Sequence, residues 1–476
     1  MRKASLKLNA LLNTITQLSA IILPFITFPY VTRILGPDNY GKVSFGNSII
    51  SYVNIVAALG IATYAVREGA AIREHKRKTE AFCSELFSFN LVSTAFAYLG
   101  LILLLVFWKD KADYRLLIVI QSVTVLANTL GVSWVFTIFE DYLFVAIRSI
   151  LIQALSIVLV FVFIRSREDY VLYAVIGMAG GVLNNLLNMI YARKYVHIRL
   201  SPLTNLKTYL KPILVLFASS ALITVYLSAD VTMLEVMKGD QEVGVYEVAV
   251  KVYTIVKSVL NAVITVTIPR FAYYIGNKME EEYQKLSKQT FETIILLALP
   301  ALTGLIMVSR NVILIMSGEE YLGGTLALQI LSVALIFAVS ANFFVNAVLL
   351  SLKRDKVILI ATIVSALVNV GLNFIFIPLW GLNGAAMTTL IAEATITVIS
   401  FLNCRDVFSL KGTGKTLVSV ALGMAVIVAV CMSVSLLNLN LLWDTLLKVA
   451  GSVVLYGAIL LLLRKDLILG ILKSKE

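Results

Sequence analysis

Residues 243–270 read VGVYEVAVKVYTIVKSVLNAVITVTIPR, an apolar stretch interrupted by only a few polar residues. A helix rises about 1.5 Å per residue, so roughly 20 apolar residues cross the ~30 Å hydrocarbon core of a bilayer. Blocks of comparable length fill the rest of the chain, near 9–33, 42–66, 81–107, 115–139, 142–164, 170–192, 211–229, 290–309, 324–350, 357–377, 383–403, 416–436 and 443–463. We therefore predict an all-α polytopic membrane protein with about fourteen transmembrane helices.

The composition agrees with burial in lipid. The chain is 59% hydrophobic and 14% charged, with a mean hydropathy of +0.91, whereas a soluble domain is about 25% charged. The alternation of apolar and polar residues that is typical of a membrane β-barrel is not sustained. The N-terminal segment is basic and then apolar, but its apolar run is too long for a signal peptide, which favours a retained first helix.

The sequence offers little material for a catalytic or metal centre. Its three cysteines, Cys83, Cys404 and Cys431, lack the spacing of a metal-binding pair, and the only histidines are His75 and His197. We expect no disulfide, no metal, no cofactor and no enzymatic activity.

Basic residues predict the orientation of the helices. With the N-terminus in the cytoplasm, the inner segments collect 28 of the 40 lysines and arginines, including the run REHKRK at 73–78. The positive-inside rule then places both termini in the cytoplasm and requires an even number of helices. The net charge of +12 follows from this arrangement and from attraction to anionic lipid head groups, so it indicates no nucleic-acid partner.

A pair of glycine-bounded segments indicates an internal duplication. GPDNYG at 36–41 and GDQEVG at 239–244 lie 203 residues apart, and an arginine follows the second glycine of each after 26 residues. Transporters are commonly built from such repeats. We predict two six-helix lobes related by a pseudo-twofold axis along the membrane normal. The predicted parts are an N-terminal lobe, a cytoplasmic linker, a C-terminal lobe, and two further helices with a tail, at 1–192, 193–210, 211–403 and 404–476.

Polar residues of 243–270 recur at helical spacing on one face. They are Glu247, Lys251, Thr254, Ser258, Asn261 and Thr265. At the positions 203 residues earlier, the same face carries small or polar residues that include Ser48, and Lys257 corresponds to Asn54. A face of this kind contacts other helices or water rather than lipid.

Two lysines in this span need an explanation, because an ammonium at mid-membrane costs about 2.5 to 3.5 kcal/mol on insertion scales. Lys251 can pair with Glu247 one turn earlier or face a polar cavity. Lys257 has no acidic residue one turn away in sequence, which favours a water-filled cavity where the cation meets an anionic substrate over a purely structural role. The substrate-binding candidates are Lys257, Lys251, Asn261, Asn54, Ser48 and Gln17.

Other charged residues are candidates for gating or coupling to protons, sodium or the membrane potential. Glu393 and Asp230 are acidic residues in or at the end of predicted spans, although pairing with a neighbouring helix would also account for them. The complete set of gating or coupling candidates is Asp230, Glu247, Glu393, Arg67, Arg270 and Arg33.

Several segments resemble the Wzx-type polysaccharide transport flippases, within the superfamily that also holds multidrug and toxic-compound extruders. They are YVTRILGPDNYGKVSF, YAVREGA, DVTMLEVMKGDQEVGVYEVAVKV with the following IPR, IMSGEEYLGG, and NVGLNFIFIPLWGLNGAAMTTLIAE. These segments run in family order through the twelfth span. The resemblance departs in WVFTIFEDY, where similar proteins often carry a glycine near Ile138.

This resemblance implies two helical bundles around a central cavity that opens alternately to each side of the membrane. It implies transport of an undecaprenyl-diphosphate-linked oligosaccharide repeat unit for capsule or O-antigen type polysaccharide. The implied setting is the bacterial cytoplasmic (inner) membrane, with membrane lipids and possible polysaccharide polymerase and glycosyltransferase partners. No ATP-binding P-loop motif is present, which favours secondary or potential-driven transport.

Three alternatives are open at this point. A cation-coupled multidrug antiporter or a lipid-linked peptidoglycan precursor flippase would share the fold. The lysine in the middle of the span disfavours the antiporter, whose cargo is usually cationic. A membrane glycosyltransferase or polymerase would need an acidic catalytic cluster and a large outer loop, and the sequence shows neither.

Overall fold

The computed structural model describes residues 6–108, 114–409 and 413–463, and these segments contain helices and turns without a β strand. Thirteen helical stretches within them are long and apolar enough to cross a membrane. The first stretch, Leu23–Ile72, has 50 residues and contains the end of the first predicted span and the whole of the second. The predicted all-α polytopic class is therefore confirmed.

By internal packing, the chain divides into two compact units. Unit 1 comprises Met1–Glu235 and Gly239–Gly244, and unit 2 comprises Val236–Lys238 and Val245–Glu476. Each unit buries its own clusters of apolar side chains. The division into repeats around a linker at 193–210 stays a prediction.

The helices of the first half are α1 Leu6–Ala58, α2 Ile61–Ile72, α3 Lys76–Phe107, α4 Arg115–Gly131, α5 Trp134–Ile138, α6 Tyr142–Phe163, α7 Tyr170–Ala192 and α8 Leu206–Lys238. Several of them end at a glycine, a left-handed residue or an extended residue, among them α4 at Val132, α6 at Ile164 and α8 at Gly239. Helix α1 is divided at Gly36, whose φ of 73° and ψ of 170° are non-helical. Val132, with φ of 39°, separates α4 from α5, so the fourth predicted span is broken near its end.

The helices of the second half are α9 Asp240–Gly276, α10 Glu280–Ser317, α11 Thr325–Asn342, α12 Asp355–Trp380, α13 Leu382–Leu402, α14 Gly414–Ser435 and α15 Leu441–Leu463. Helices α10 and α12 end at the positive-φ glycines Gly318 and Gly381. A π-helix, Phe343–Leu349, follows α11 directly. Helices α12 and α13 turn at Gly381, which has a positive φ, and they pack against each other along their length.

The predicted linker region is anchored to α3 by hydrogen bonds within unit 1. The backbone N–H groups of Arg199 and Ser201 donate to the hydroxyls of Ser84 and Ser88 at 3.1 and 2.8 Å. The backbone N–H and the side chain of Asn205 both donate to the carboxylate of Glu85. These side chains thus satisfy the backbone N–H groups of Arg199, Ser201 and Asn205.

The two glycine-bounded segments that indicate duplication contact each other reciprocally within unit 1. A Cβ on Gly41 would lie 1.9 Å from the carbonyl oxygen of Asp240, and one on Gly244 would lie 1.9 Å from that of Pro37. An offset of 203 residues converts one contact into the other. Gly36 and Gly239, also 203 apart, share an extended positive-φ conformation. The local geometry thus supports the duplication that the sequence predicts.

These contacts predict that adding one methyl group at Gly41 destabilises the protein. Each clash is with backbone, which cannot move aside as a side chain can, and overpacking of this kind costs about 1–3 kcal/mol. We expect Gly41→Ala to lower the thermal unfolding temperature of the purified protein. Gly304→Ala is the matched control, since its Cβ would meet no atom within 4 Å and alanine favours a helix over glycine by about 1 kcal/mol. Equal unfolding temperatures for the two variants would contradict the close approach.

Candidate functional site

The structure joins two of the predicted site residues in one ion pair inside unit 2. Lys257 lies near the middle of α9 and Glu393 near the middle of α13. The ammonium nitrogen of Lys257 donates to Oε1 of Glu393 at 2.7 Å. The lysine side chain is 28% exposed, whereas that of Glu393 is 7% exposed. The anion is therefore buried, and the cation keeps an open side.

Tyr253 completes this cluster from one helical turn before the lysine. Its hydroxyl donates to the same Oε1 of Glu393 at 3.1 Å, and its ring centroid lies 5.3 Å from the lysine nitrogen. The tyrosine is itself buried. Closer to the start of α9, the hydroxyls of Tyr246 and Thr389 lie 3.4 Å apart. Long side chains spaced along α9 thus hold it to α13.

The pair leaves hydrogen-bonding capacity on the cation. An ammonium has three N–H donors, and the structure assigns one of them, to Glu393. Burying two charges costs free energy that their attraction repays only with good geometry and additional hydrogen bonds. Here the 2.7 Å contact supplies the good geometry, and the hydroxyl of Tyr253 supplies an additional hydrogen bond. A second anion can therefore approach the open side of Lys257 without breaking the pair.

The remaining polar face of α9 is less buried than this cluster. Glu247, Lys251 and Asn261 are half-buried, and Thr254 and Thr265 are exposed. Glu247 and Lys251 lie one turn apart, but among the described residues no ion pair joins them within 4.0 Å. Oδ1 of Asn261 is buried and has no hydrogen-bond partner within the part of the chain that the structure describes. Lys257 points away from this face towards α13.

The predicted residues of the second span belong to hydrogen-bond networks inside unit 1. The hydroxyl of Ser48 lies 2.9 Å from that of Thr232, which is also 3.2 Å from the hydroxyl of Tyr52. Asn54 accepts a hydrogen bond at 3.0 Å from Asn128. Asn128 in turn accepts one at 2.8 Å from Asn185.

The other candidates are scattered. Asp230 is 7% exposed on α8, near Thr232. Arg67 is 58% exposed and pairs with Glu68 at 2.8 Å, whereas Arg33 and Arg270 are exposed residues of α1 and α9. The side chain of Gln17 lies outside the described residues. Among the predicted charged candidates in the described part of unit 2, the structure joins Lys257 and Glu393 in an ion pair.

Sequence reasoning missed Tyr253, Thr232 and Asn128 as parts of these clusters. Tyr253 lies four residues before Lys257, the spacing at which helical side chains meet, so the α9 sequence contains a signal for it. Thr232 and Asn128 lie on helices far from their partners in sequence. No local pattern indicates such contacts.

The apolar helices define a polytopic membrane protein. The fold is similar to that of the lipid II flippase MurJ in an inward closed conformation, with a TM-score of 0.78 and 15% identity over 96% of this chain and 100% of that one. It is also similar to an inward-facing multidrug resistance MATE family transporter, with a TM-score of 0.60 and 16% identity over 81% and 93% of the two chains.

Sequence comparison identifies the family. The polysaccharide biosynthesis protein family matches residues 6–275, more than half of the chain, and the MatE family matches 216–375. The chain therefore belongs to the polysaccharide biosynthesis protein family, and the predicted resemblance is confirmed. It is 25% identical to a protein of Escherichia coli strain K12 named as a candidate O-antigen transporter, over 85% of this chain and 98% of that protein. It is 20% identical to the capsular polysaccharide biosynthesis protein CapF of Staphylococcus aureus, over 81% and 96% of the two chains.

Proposed function

We propose that this protein flips an undecaprenyl-diphosphate-linked oligosaccharide repeat unit from the cytoplasmic to the outer leaflet of the bacterial inner membrane. The observation that carries the proposal is Lys257, a partly exposed cation held at mid-helix by a buried carboxylate. The names of the relatives, an O-antigen transporter and a capsular polysaccharide biosynthesis protein, support a glycan as cargo.

The chemistry of the cargo explains why a cation is placed there. The prenyl tail can stay in hydrocarbon, but the diphosphate and the sugars need a polar path. Two unassigned N–H donors of Lys257 can bind phosphate oxygens with charge-assisted hydrogen bonds, which are shorter and stronger than neutral ones. At about 4 Å and an intermediate dielectric, the gross attraction is about 4 kcal/mol per charge pair.

Glu393 gives this site a way to release its cargo. With the carboxylate ionised, the pair has no net charge. When a proton binds Glu393, the site becomes a net cation and attracts the diphosphate more strongly. Loss of that proton restores the neutral ion pair and weakens the binding of the diphosphate. Proton binding at Glu393 would therefore couple to diphosphate binding at Lys257, in an alternating-access cycle without ATP.

A multidrug antiporter is the second candidate, because the fold of a MATE transporter is similar. Its cationic cargo would be repelled by the exposed ammonium of Lys257, whereas Glu393 is occupied by that lysine and by Tyr253. A flippase for a lipid-linked peptidoglycan precursor would bind its cargo's diphosphate in the same way. Its cargo would differ in the attached glycan.

Analysis of lipid-linked saccharides in a strain that lacks the gene tests the function directly. We expect a prenyl-diphosphate-linked oligosaccharide to accumulate on the cytoplasmic face and surface polysaccharide to be lost. Restoration by the intact gene is the control. Accumulation of a lipid-linked peptidoglycan precursor would assign the related flippase activity, and unchanged lipid-linked saccharides with altered drug sensitivity would support the antiporter.

We also propose that both termini and the 73–80 segment lie in the cytoplasm. Lys76 is exposed at the start of α3, and the three native cysteines are buried, so a single cysteine at position 76 can be labelled selectively. We expect Lys76→Cys to react with an impermeant maleimide in inverted vesicles and not in intact cells. Labelling in intact cells alone would reverse the orientation.

A further inference from the structure

A groove of about 600 Å³ on unit 1 contains two arginines and is separate from the lysine site of unit 2. Its walls come from α2, α5 and the first part of α6. Residues that line it include Val66 and Arg67 of α2, Trp134 of α5, and Tyr142 and Arg148 of α6. The groove thus combines two guanidinium groups with aromatic and aliphatic side chains.

Arg148 carries a buried charge that no carboxylate of the described residues balances. The residue is 6% exposed. Its Nε donates to Oδ1 of Asn184 at 2.8 Å, and its guanidinium lies 5.2 Å from the ring centroid of Phe144. Its Nη1 has no hydrogen-bond partner among the described residues. A buried, unpaired charge is costly, and a bound anion would remove that cost.

The acidic residues nearby have partners other than Arg148. Glu68 pairs with Arg67, and Glu140 pairs with Arg73 at 2.7 Å. Asp141 accepts hydrogen bonds from Tyr191 and Tyr195. Burial raises the pKa of Asp141, but these hydrogen bonds and the charge of Lys194 outweigh it and hold that pKa below its usual value. Asp141 is therefore a stabilised anion with its own partners.

The outer face of α6 indicates that the anion is part of a lipid. Leu143, Ile147 and Leu151 follow one another at intervals of four residues and are 52%, 52% and 63% exposed. In a membrane protein such a stripe contacts acyl chains. Arg148 follows Tyr142, the first residue of α6, by about 9 Å along the helix axis at 1.5 Å per residue. A lipid whose chains cover this stripe would bring its phosphate to the groove.

Arg67 can contribute a second contact to the same phosphate. Both side chains of its ion pair with Glu68 are exposed, Arg67 at 58% and Glu68 at 45%. Exposed ion pairs of this kind contribute little stability. The side chain can therefore turn towards an anion without a large loss. Guanidinium groups bind phosphate through two parallel hydrogen bonds.

We propose that this groove is a binding site for the phosphate of an anionic membrane phospholipid, with Arg148 as the principal contact and Arg67 as the second. The site is independent of the transported lipid and of Lys257. The bound lipid neutralises the arginine and fixes the arrangement of α2, α5 and α6 around it.

Lipid binding by the delipidated full-length protein tests the site, with native mass spectrometry and thermal unfolding as readouts. The probes are dioleoylphosphatidylglycerol, dioleoylglycerol without the phosphate, inorganic phosphate, and geranylgeranyl diphosphate. We expect phosphatidylglycerol to bind and raise the unfolding temperature, and neither dioleoylglycerol nor inorganic phosphate to match it. Arg148→Gln should weaken this binding about tenfold, as expected for loss of a charge-assisted contact.

Variants separate the site from general charge effects. Arg67→Gln should weaken binding less than Arg148→Gln, and it keeps the test valid if the latter fails to fold. Arg115→Gln is the matched control, because Arg115 is exposed and lies outside the groove. The proposal is overturned if dioleoylglycerol or inorganic phosphate gives the same shift, if geranylgeranyl diphosphate displaces the phospholipid, or if Arg115→Gln weakens binding as much as Arg148→Gln does.

Discussion

Replacing Lys257 with alanine is expected to abolish or severely reduce transport while the protein still inserts and accumulates. The substitution removes the cation proposed to meet the diphosphate, and a net loss of about 1.4 to 2.8 kcal/mol corresponds to a roughly 10- to 100-fold weaker interaction. Lys257→Arg should retain part of the activity, because the charge persists. Restoration of surface polysaccharide in a deletion strain is the measurement, with membrane abundance recorded for each variant.

The ion pair with Glu393 calls for a further control. Without the lysine, the carboxylate is 7% exposed with Tyr253 as its remaining hydrogen-bond donor, and an orphaned buried charge costs about 3–5 kcal/mol. The double variant Lys257→Ala with Glu393→Gln removes that cost. It should recover stability and still fail to transport. Lys251→Ala should be milder, and Lys285→Ala, at an exposed position of α10, should transport normally. Normal transport by the double variant would show that the lysine serves packing alone.

Replacing Glu393 with glutamine is expected to change the pH dependence of substrate binding and to slow the transport cycle. The amide keeps the shape of the carboxylic acid but cannot ionise, so the charge of Lys257 is not offset at any pH. Wherever Glu393 is ionised in the wild type, it competes with the diphosphate for the lysine. Glu393→Gln should therefore bind a prenyl diphosphate more tightly than the wild type at the same pH, and release should become limiting.

Binding of geranylgeranyl diphosphate to the purified protein across a pH series measures this effect. Glu292→Gln is a matched control, because Glu292 is also buried in unit 2 but on α10. An unchanged pH dependence in Glu393→Gln, together with normal transport, would leave this glutamate as a structural partner of the lysine. If Glu292→Gln binds with the same pH dependence as the wild type, the effect belongs to Glu393.

The sequence predicted the individual charges of the site better than their arrangement. An ionisable residue inside an apolar span is conspicuous because its insertion is costly, so Lys257 and Glu393 could each be identified. Their pairing could not, since 136 residues separate them and nothing local relates a lysine on α9 to a glutamate on α13. Arg148 shows the same limit, because nothing in the sequence of its predicted span, 142–164, relates it to Asn184 on α7. Its burial depends on how α5, α6 and α7 pack.

The amino-acid sequence by itself determined the helical membrane class, the approximate spans and the repeated glycine segments, because hydrophobic length and residue spacing are local properties. Only the tertiary structure decided that Gly41 and Gly244 each lie against the other segment's backbone, that α4 is broken at Val132, and that Lys257 meets Glu393. These features depend on which helix faces lie together. That choice is made by side-chain packing and by the need to pair buried charges across helices, which no single span contains.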